Sequence, residues 1–317
     1  MTCALIAPFG IDTHRTPPGH PERPERLAAV LSALDETFFP DLQRFEAPKG
    51  DREFLRTVHD PDHLDRLDSL TPGSGAVAID TDTVLLPDTL DAALRGVGGA
   101  CLGVDLVLEG RARNAFIASR PPGHHAERAR AMGFCFYGTV AAAALHAVRN
   151  RGIERVAVLD FDAHHGNGTQ DILWDASEVF FASTHQRNIF PMRGTAEETG
   201  AHGQILNLPL KNGSGSRQMA EAWGSILARV EEWRPELILL SAGFDAHQHD
   251  PLAGLRWRDT DFTWLTGRIL DLAERHAPGR VVSVLEGGYD LGVLRRCVPA
   301  HMRLLAGPAP ERHPEPA

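Results

Sequence analysis

A chain of 317 residues with 43% hydrophobic content can bury one large core, and its four scattered cysteines (Cys3, Cys101, Cys135 and Cys297) form no CxxC pair, so neither a disulfide framework nor a thiolate zinc site is suggested. Acidic residues outnumber basic ones by 42 to 32, giving a net charge of -10 with no basic stripe, so nucleic acid is not an expected partner and a cationic substrate is mildly favoured. No apolar run reaches the roughly eighteen residues of a membrane span and no leader opens the chain, so a soluble, cytoplasmic protein without a membrane partner is expected.

Short apolar, β-branched runs at 4–7, 115–118, 156–159, 179–183, 237–241 and 281–285 predict strands. Helical periodicity between them predicts helices over 24–34, 89–108, 139–148, 218–230 and 261–274. Pro24 suits a first helical turn, and Thr139 and Asp261 are the expected N-caps of their helices. Residues 71–79 read as a loop, and the proline-rich, charged stretch 307–317 as a disordered tail behind one domain of 1–306. Continuous apolar strands alternating with helices imply an α/β fold, a central parallel sheet covered on both faces. Lysine occurs only at Lys49 and Lys211 while arginine supplies the other basic residues, a codon-usage signature of a GC-rich bacterial genome.

Ligands of such sheets bind beyond the carboxyl ends of the strands. Four predicted strands run there into polar clusters: Ser119-Arg-Pro-Pro-Gly-His-His125, Asp160-Phe-Asp-Ala-His-His-Gly-Asn167, Ala242-Gly-Phe-Asp245 and Glu286-Gly-Gly-Tyr289. Asp162 and His164, two apart on extended backbone, can point to one side and chelate an ion. Asp245 from a neighbouring strand end would make three ligands and leave an open position, as catalytic zinc requires; iron(II) also tolerates this set. Taken alone, a DxH pair is equally a hydrogen-bonded turn. His124 and His125 follow a stiff Pro-Pro-Gly segment and could deprotonate an attacking water and protonate a leaving amine; an isolated pair is otherwise a structural feature. Asp160 and Asn167 are candidates to orient the two rings. Tyr289 is placed on what reads as an exposed, flexible turn, where its hydroxyl could bond an oxyanion.

As a set these segments, with His20-Pro-Glu-Arg-Pro-Glu-Arg26, Gly133-Phe-Cys-Phe136 and Ser241-Ala-Gly-Phe-Asp245, resemble the histone deacetylase and acetylpolyamine amidohydrolase superfamily, particularly its class II and bacterial members. The resemblance runs over nearly the whole chain in the family's order. It implies an arginase-like three-layer fold, and zinc held by Asp162, His164 and Asp245. It also implies proton transfer by His124, backed by Asp160, and by His125, whose neutral partner Asn167 makes it the candidate general base, carbonyl polarisation by Tyr289, and a substrate tunnel walled by Gly133, Phe134 and Phe190. It further implies a structural potassium ion near Asp160, Asp162, His164, Ser183 and Thr184, and an inner channel lined by Arg26. The implied reaction is removal of an acetyl or short acyl group from a lysine side chain or similar amine, with acetylpolyamines or small metabolites as alternatives.

Asp80 and Asp82 fall where the family carries a rim loop; they either grip substrate or are solvated carboxylates. His249 stands where the family commonly has an acidic residue and is either solvent-facing or a rim residue. Tyr137-Gly138-Thr139 departs from the family's aromatic and paired asparagines. A two-metal ureohydrolase is disfavoured because Gly166, two beyond His164, offers no ligand, and a silent acyl-lysine binding module would not need both the histidine pair and the tyrosine. Nothing in the sequence fixes an oligomeric state.

Overall fold

The computed structural model describes residues 2–10 and 14–307; the tail expected at 307–317 lies, beyond Gly307, outside the described residues. Eight strands form one parallel sheet: β1 (Ala4–Ala7), β2 (Gln43–Glu46), β5 (Asn114–Ile117), β6 (Val156–Asp160), β7 (Val179–Gln186), β8 (Ile205–Leu210), β9 (Leu237–Ala242) and β10 (Val281–Leu285). Their order across the sheet is β2-β1-β5-β10-β9-β6-β7-β8. A small antiparallel hairpin, β3 (Val77–Ala78) with β4 (Val84–Leu85), stands apart.

Helices cover both faces. α1 (Glu25–Ala33), α7 (Ser216–Trp233), α8 (Asp259–His276) and α9 (Leu291–Ala306) pack on one face around Trp223, Phe244, Phe262 and Val298. On the other, α4 (Thr89–Leu108) and α5 (Thr139–Arg151) bury Val97, Val104 and an alanine-rich stripe, with α2 (Arg52–Val58) and α3 (Pro61–Leu70) flanking them. A short α6 (Asn167–Ile172) follows β6 directly. The interior strands are buried on both sides, which is why their sequences are apolar without alternation. No helix among the described residues is long and apolar enough to cross a membrane.

Two capping expectations need correction. Gly138, not Thr139, caps α5; its amide is taken by His59 Nε2 at 2.9 Å, and Thr139 is the first helical residue, packed against Gly123. Asp261 is the third residue of α8, whose N-cap is Arg258; its carboxylate accepts from the Arg258 amide at 2.8 Å and the Ser216 hydroxyl at 2.9 Å, so it caps the helix from the third position. The loop expected at 71–79 ends in β3, because Asp80 turns the chain back into a hairpin.

Candidate active site

The ends of β5, β10, β9 and β6 lie side by side, and each delivers one of the polar clusters. His164 Nδ1 lies 2.8 Å from Asp245 Oδ2 and 3.2 Å from Asp162 Oδ1, and one ligating atom from each of the three residues falls within 4.8 Å of the others. Backbone amides fix the carboxylates: His164 N and Gly287 N donate to Asp162 at 2.9 and 2.8 Å, and Ala163 N to Asp245 at 2.7 Å. Side chains are excluded where the backbone closes in. A Cβ on Gly243 would stand 2.1 Å from Asp162 Oδ2, and one on Gly287 2.5 Å from both Asp162 Oδ2 and Asp245 Oδ2.

Two buried carboxylates facing one imidazole nitrogen demand positive charge. Burial pushes Asp245 up to about 7, with Asp162 adding to the rise. Burial would lower His164, but its hydrogen bonds to Asp162 and Asp245 outweigh it and push it up to about 10. A divalent cation meets the same demand without a proton, and one nitrogen with two oxygens is a donor set that suits zinc or iron(II). The residues therefore fit a catalytic divalent ion.

A second trio, His247, Asp259 and Cys297, has similar spacing but another purpose. The His249 amide donates to His247 Nδ1 at 3.1 Å, which leaves the hydrogen on Nε2, and that donates to Asp259 at 2.9 Å. Arg296 grips both oxygens of Asp259, at 2.8 and 3.3 Å. This is a hydrogen-bonded cap at the start of α8; His249 itself faces solvent.

The rings of His124 and His125 are buried, with centroids 4.0 Å apart. Their partners differ in charge: His124 Nδ1 lies 3.0 Å from Asp160 Oδ2, and His125 Nδ1 lies 2.8 Å from Asn167 Oδ1. Asn167 Nδ2 donates to Glu127 Oε1 at 2.7 Å, which orients the amide so that its oxygen faces His125. His125 Nδ1 consequently carries the hydrogen and its Nε2 is bare when the ring is neutral. Burial would lower His124, but Asp162 and Asp160 hold it well above the usual range; burial, reinforced by His124 and His164, holds His125 well below it.

Tyr289 is not exposed: it is 9% accessible, and its turn is buried. The local Gly-Gly-Tyr-Asp sequence reads as a surface turn, but Asp250 accepts the Tyr289 amide at 2.7 Å and Arg26 lies 4.9 Å over the ring. Burial holds the phenol well above its usual range, hence protonated. A cavity of about 500 Å³ opens above His125, His164 and Tyr289, between Phe134, Phe190 and Gly133. Phe190 packs edge-on to His125 at 5.0 Å, and Phe134 adopts φ 68°, held by its amide donating to Thr83 Oγ1 at 3.1 Å. A non-glycine residue at positive φ marks a wall held in place by its surroundings.

The rim aspartates divide. Asp82 lines the cavity mouth beside His20, whose Nε2 donates to the Asp82 carbonyl at 2.9 Å, whereas Asp80 spends its carboxylate on the amides of Asp82 and Thr83 at 3.1 and 2.7 Å. Ser183 pairs in register with Asp160. His185 Nε2 donates to Gly194 O at 2.9 Å, so His185 Nδ1 accepts the Ser183 hydroxyl at 3.0 Å and the serine lone pairs stay free; Thr184 Oγ1 accepts from Trp223 at 3.1 Å. Arg26, expected to line a channel, is fully buried with its guanidinium bonded to Glu22 and to the Glu286 and Gly288 carbonyls.

Sequence reasoning did not single out Asp250, Glu127 or Glu22, nor Glu286 as an anchor. Glu286 Oε2 accepts the Gly123 and His124 amides at 2.7 and 3.2 Å. Only Glu22 and Glu286 carried a signal, by standing within the motifs quoted above.

The sequence matches the histone deacetylase domain family over residues 20–305. The chain belongs to the histone deacetylase family. Among its relatives, a histone deacetylase-like amidohydrolase of Pseudomonas aeruginosa is 40% identical, covering 91% of this chain and 77% of that protein. A probable deacetylase of Methanothermobacter thermautotrophicus is also 40% identical, over 94% of this chain and 89% of its own length. The crystal structure of the HDA15 HD domain superposes with a TM-score of 0.88 at 30% identity, covering 97% of this chain and 89% of that one. The family explains why all four strand ends carry polar clusters in this order.

Proposed function

We propose that this deacetylase-family protein is a zinc-dependent amidohydrolase that removes an acetyl or short acyl group from a lysine side chain or similar amine. The observation that carries this reading is the meeting of Asp162, His164 and Asp245 beneath a cavity walled by Phe134 and Phe190, with the His124–His125 pair alongside. Asp162, His164 and Asp245 would hold the zinc, or iron(II), ion; when bound it supplies Lewis acidity toward water and the acyl carbonyl. The apolar walls at Phe134 and Phe190 admit an alkyl stem and exclude bulk water from it.

His125, backed by the neutral Asn167, takes the proton of the attacking water at Nε2. His124, backed by the Asp160 carboxylate, carries positive charge and delivers a proton to the leaving nitrogen. The protonated Tyr289 hydroxyl donates to the oxyanion of the tetrahedral intermediate. Asp82 at the mouth draws substrates with a cationic or amide-bearing flank. A potassium ion beside Asp160, Asp162, His164, Ser183 and Thr184 would stiffen the β6 and β7 ends; the free Ser183 lone pairs and the unpartnered, buried Ser241 Oγ, in register with Asp160, support this. We read residues 1–306 as one catalytic domain acting in the cytoplasm.

Zinc-loaded protein is expected to release acetate from an acetyl-lysine peptide, with about one transition metal per chain, both lost in Asp245→Ala. Full turnover in metal-stripped protein would overturn the reading. A panel of acyl lengths on lysine peptides, polyamines and small amines ranks the substrates.

A further inference from the structure

We propose that Glu22 is a positioning residue that sets the Gly288–Tyr289 end of its turn against the His124–His125 loop, linking oxyanion donor and proton-transfer pair through one buried carboxylate shared by Arg26 and Arg120. The proposal rests on the reading of Tyr289 as the oxyanion donor.

Glu22 has no exposure to solvent. Arg120 grips it from one side, Nε to Oε1 at 2.6 Å and Nη2 to Oε2 at 2.8 Å. Arg26 donates Nη1 to the same Oε1 at 2.9 Å from the other side. His14 Nε2 lies 3.3 Å from Oε2, so both oxygens are engaged. One carboxylate thus separates two guanidiniums that would otherwise repel each other in a medium with little water to screen them.

Each arginine leads to a different part of the site. Arg120 opens the Pro-Pro-Gly segment that ends in His124 and His125. Arg26 donates to Gly288 O at 2.6 Å and Glu286 O at 2.5 Å, and its guanidinium lies over the Tyr289 ring. Every other hydrogen bond of the Arg26 guanidinium is to the turn bearing Tyr289. If the Glu22 charge goes, the two guanidiniums separate, and Arg26 carries the turn with it. Glu286 Oε2, which accepts the Gly123 and His124 amides, ties the start of the turn to the histidine loop directly, so displacement falls on the part beyond it, at Gly288 and Tyr289. Misplacing a catalytic group by about 1 Å can cost on the order of a hundredfold in rate.

The test is a double-mutant cycle of Glu22→Gln with Tyr289→Phe, in zinc-loaded full chain acting on an acetyl-lysine peptide. Glu22→Gln is expected to lower kcat by about ten- to a hundredfold with KM little changed, and to cost less than about twofold when Tyr289→Phe is already present. The chain has two tyrosines, so ring-labelled tyrosine gives two assignable NMR signals. The Tyr289 signal should shift or broaden in Glu22→Gln while that of Tyr137 stays.

Unchanged kcat in Glu22→Gln, a penalty that multiplies undiminished with Tyr289→Phe, or an unmoved Tyr289 signal would overturn the proposal. Full kcat in Tyr289→Phe alone would overturn the reading beneath it, and the single variant shows this before the cycle is closed. Where Glu22→Gln does not fold, Glu22→Asp keeps the charge but is too short to reach both arginines; it should give a smaller loss, masked by Tyr289→Phe in the same way, and an additive loss refutes the coupling.

Discussion

Replacing Gly287 with alanine adds one methyl group at the closest approach between backbone and metal ligands. Its Cβ would sit 2.5 Å from Asp162 Oδ2 and Asp245 Oδ2, and 2.9 Å from Asp245 Cγ. Carbon and oxygen do not settle much inside about 3 Å, so each carboxylate must retreat by about 0.5 Å, the tolerance within which a working site is held. The retreat cannot be shared with the turn, because the Gly287 amide itself bonds Asp162 Oδ2 at 2.8 Å. Gly287 does not occupy the left-handed region, so alanine carries no backbone penalty and the effect isolates the steric one. The expected loss is about ten- to a hundredfold in zinc affinity, which is about 1.4–2.8 kcal/mol, and on the order of a hundredfold in kcat. Competition against a chromophoric chelator reads the first, and steady-state kinetics the second. Gly224 in α7 is the matched control: nothing lies within 4 Å of its would-be Cβ, so Gly224→Ala should leave zinc and activity alone and stabilise the fold by about 0.5–1 kcal/mol. If Gly287→Ala binds zinc within about twofold of the parent and keeps its kcat, the close-packed cradle is not what shapes the site.

Tyr289→Phe should lower kcat by on the order of a hundredfold while KM changes little, because the hydroxyl acts on charge that develops in the transition state; a raised KM at full kcat would make it a binding residue. Asn167→Asp places an anion behind His125, raises its pKa and moves the acid limb of the kcat/KM profile to higher pH, since the base must lose its proton to act; an unmoved limb in folded, metal-loaded protein would refute the assignment. Asp80→Ala removes two bonds to backbone amides and should destabilise the hairpin turn by about 1 kcal/mol, seen as a lower Tm. Asp82→Asn should leave Tm nearly unchanged and raise KM several-fold for peptides with cationic residues flanking the acyl-lysine, an effect that fades at high salt; equal Tm losses in the two variants would deny them separate roles.

The six strands predicted from apolar runs are the interior ones and match their predicted positions within a few residues, because burial on both faces leaves a continuous signature. The two missed, β2 and β8, are the two edges of the sheet; QRFE and ILNLPL are half exposed, and Pro209 is tolerated because an edge strand has a free side. The polar clusters were legible for a related reason, since charged and imidazole groups directly following an apolar strand have no packing purpose. What sequence did not disclose depends on contacts between distant segments. Glu22 meets Arg120 98 positions away, and Arg26 meets Gly288 262 positions away, so neither pairing leaves a local pattern. The burial of Tyr289 was hidden for the same reason: Asp250 and Arg26, which enclose it, lie on other elements.

The place of β10 in the sheet bears on how the protein acquires its activity. It is the last strand in the described chain, yet it lies between β5 and β9 rather than at an edge. Before it inserts, the sheet is two separate halves whose facing edges both carry unpaired backbone groups, the kind of surface that invites pairing with other chains. The segment that joins the halves also brings Glu286, Gly287 and Tyr289 to the other three strand ends. Closure of the sheet and completion of the site therefore depend on the same segment, as with a keystone, and a molecule with its site complete has also sealed the facing edges of β5 and β9.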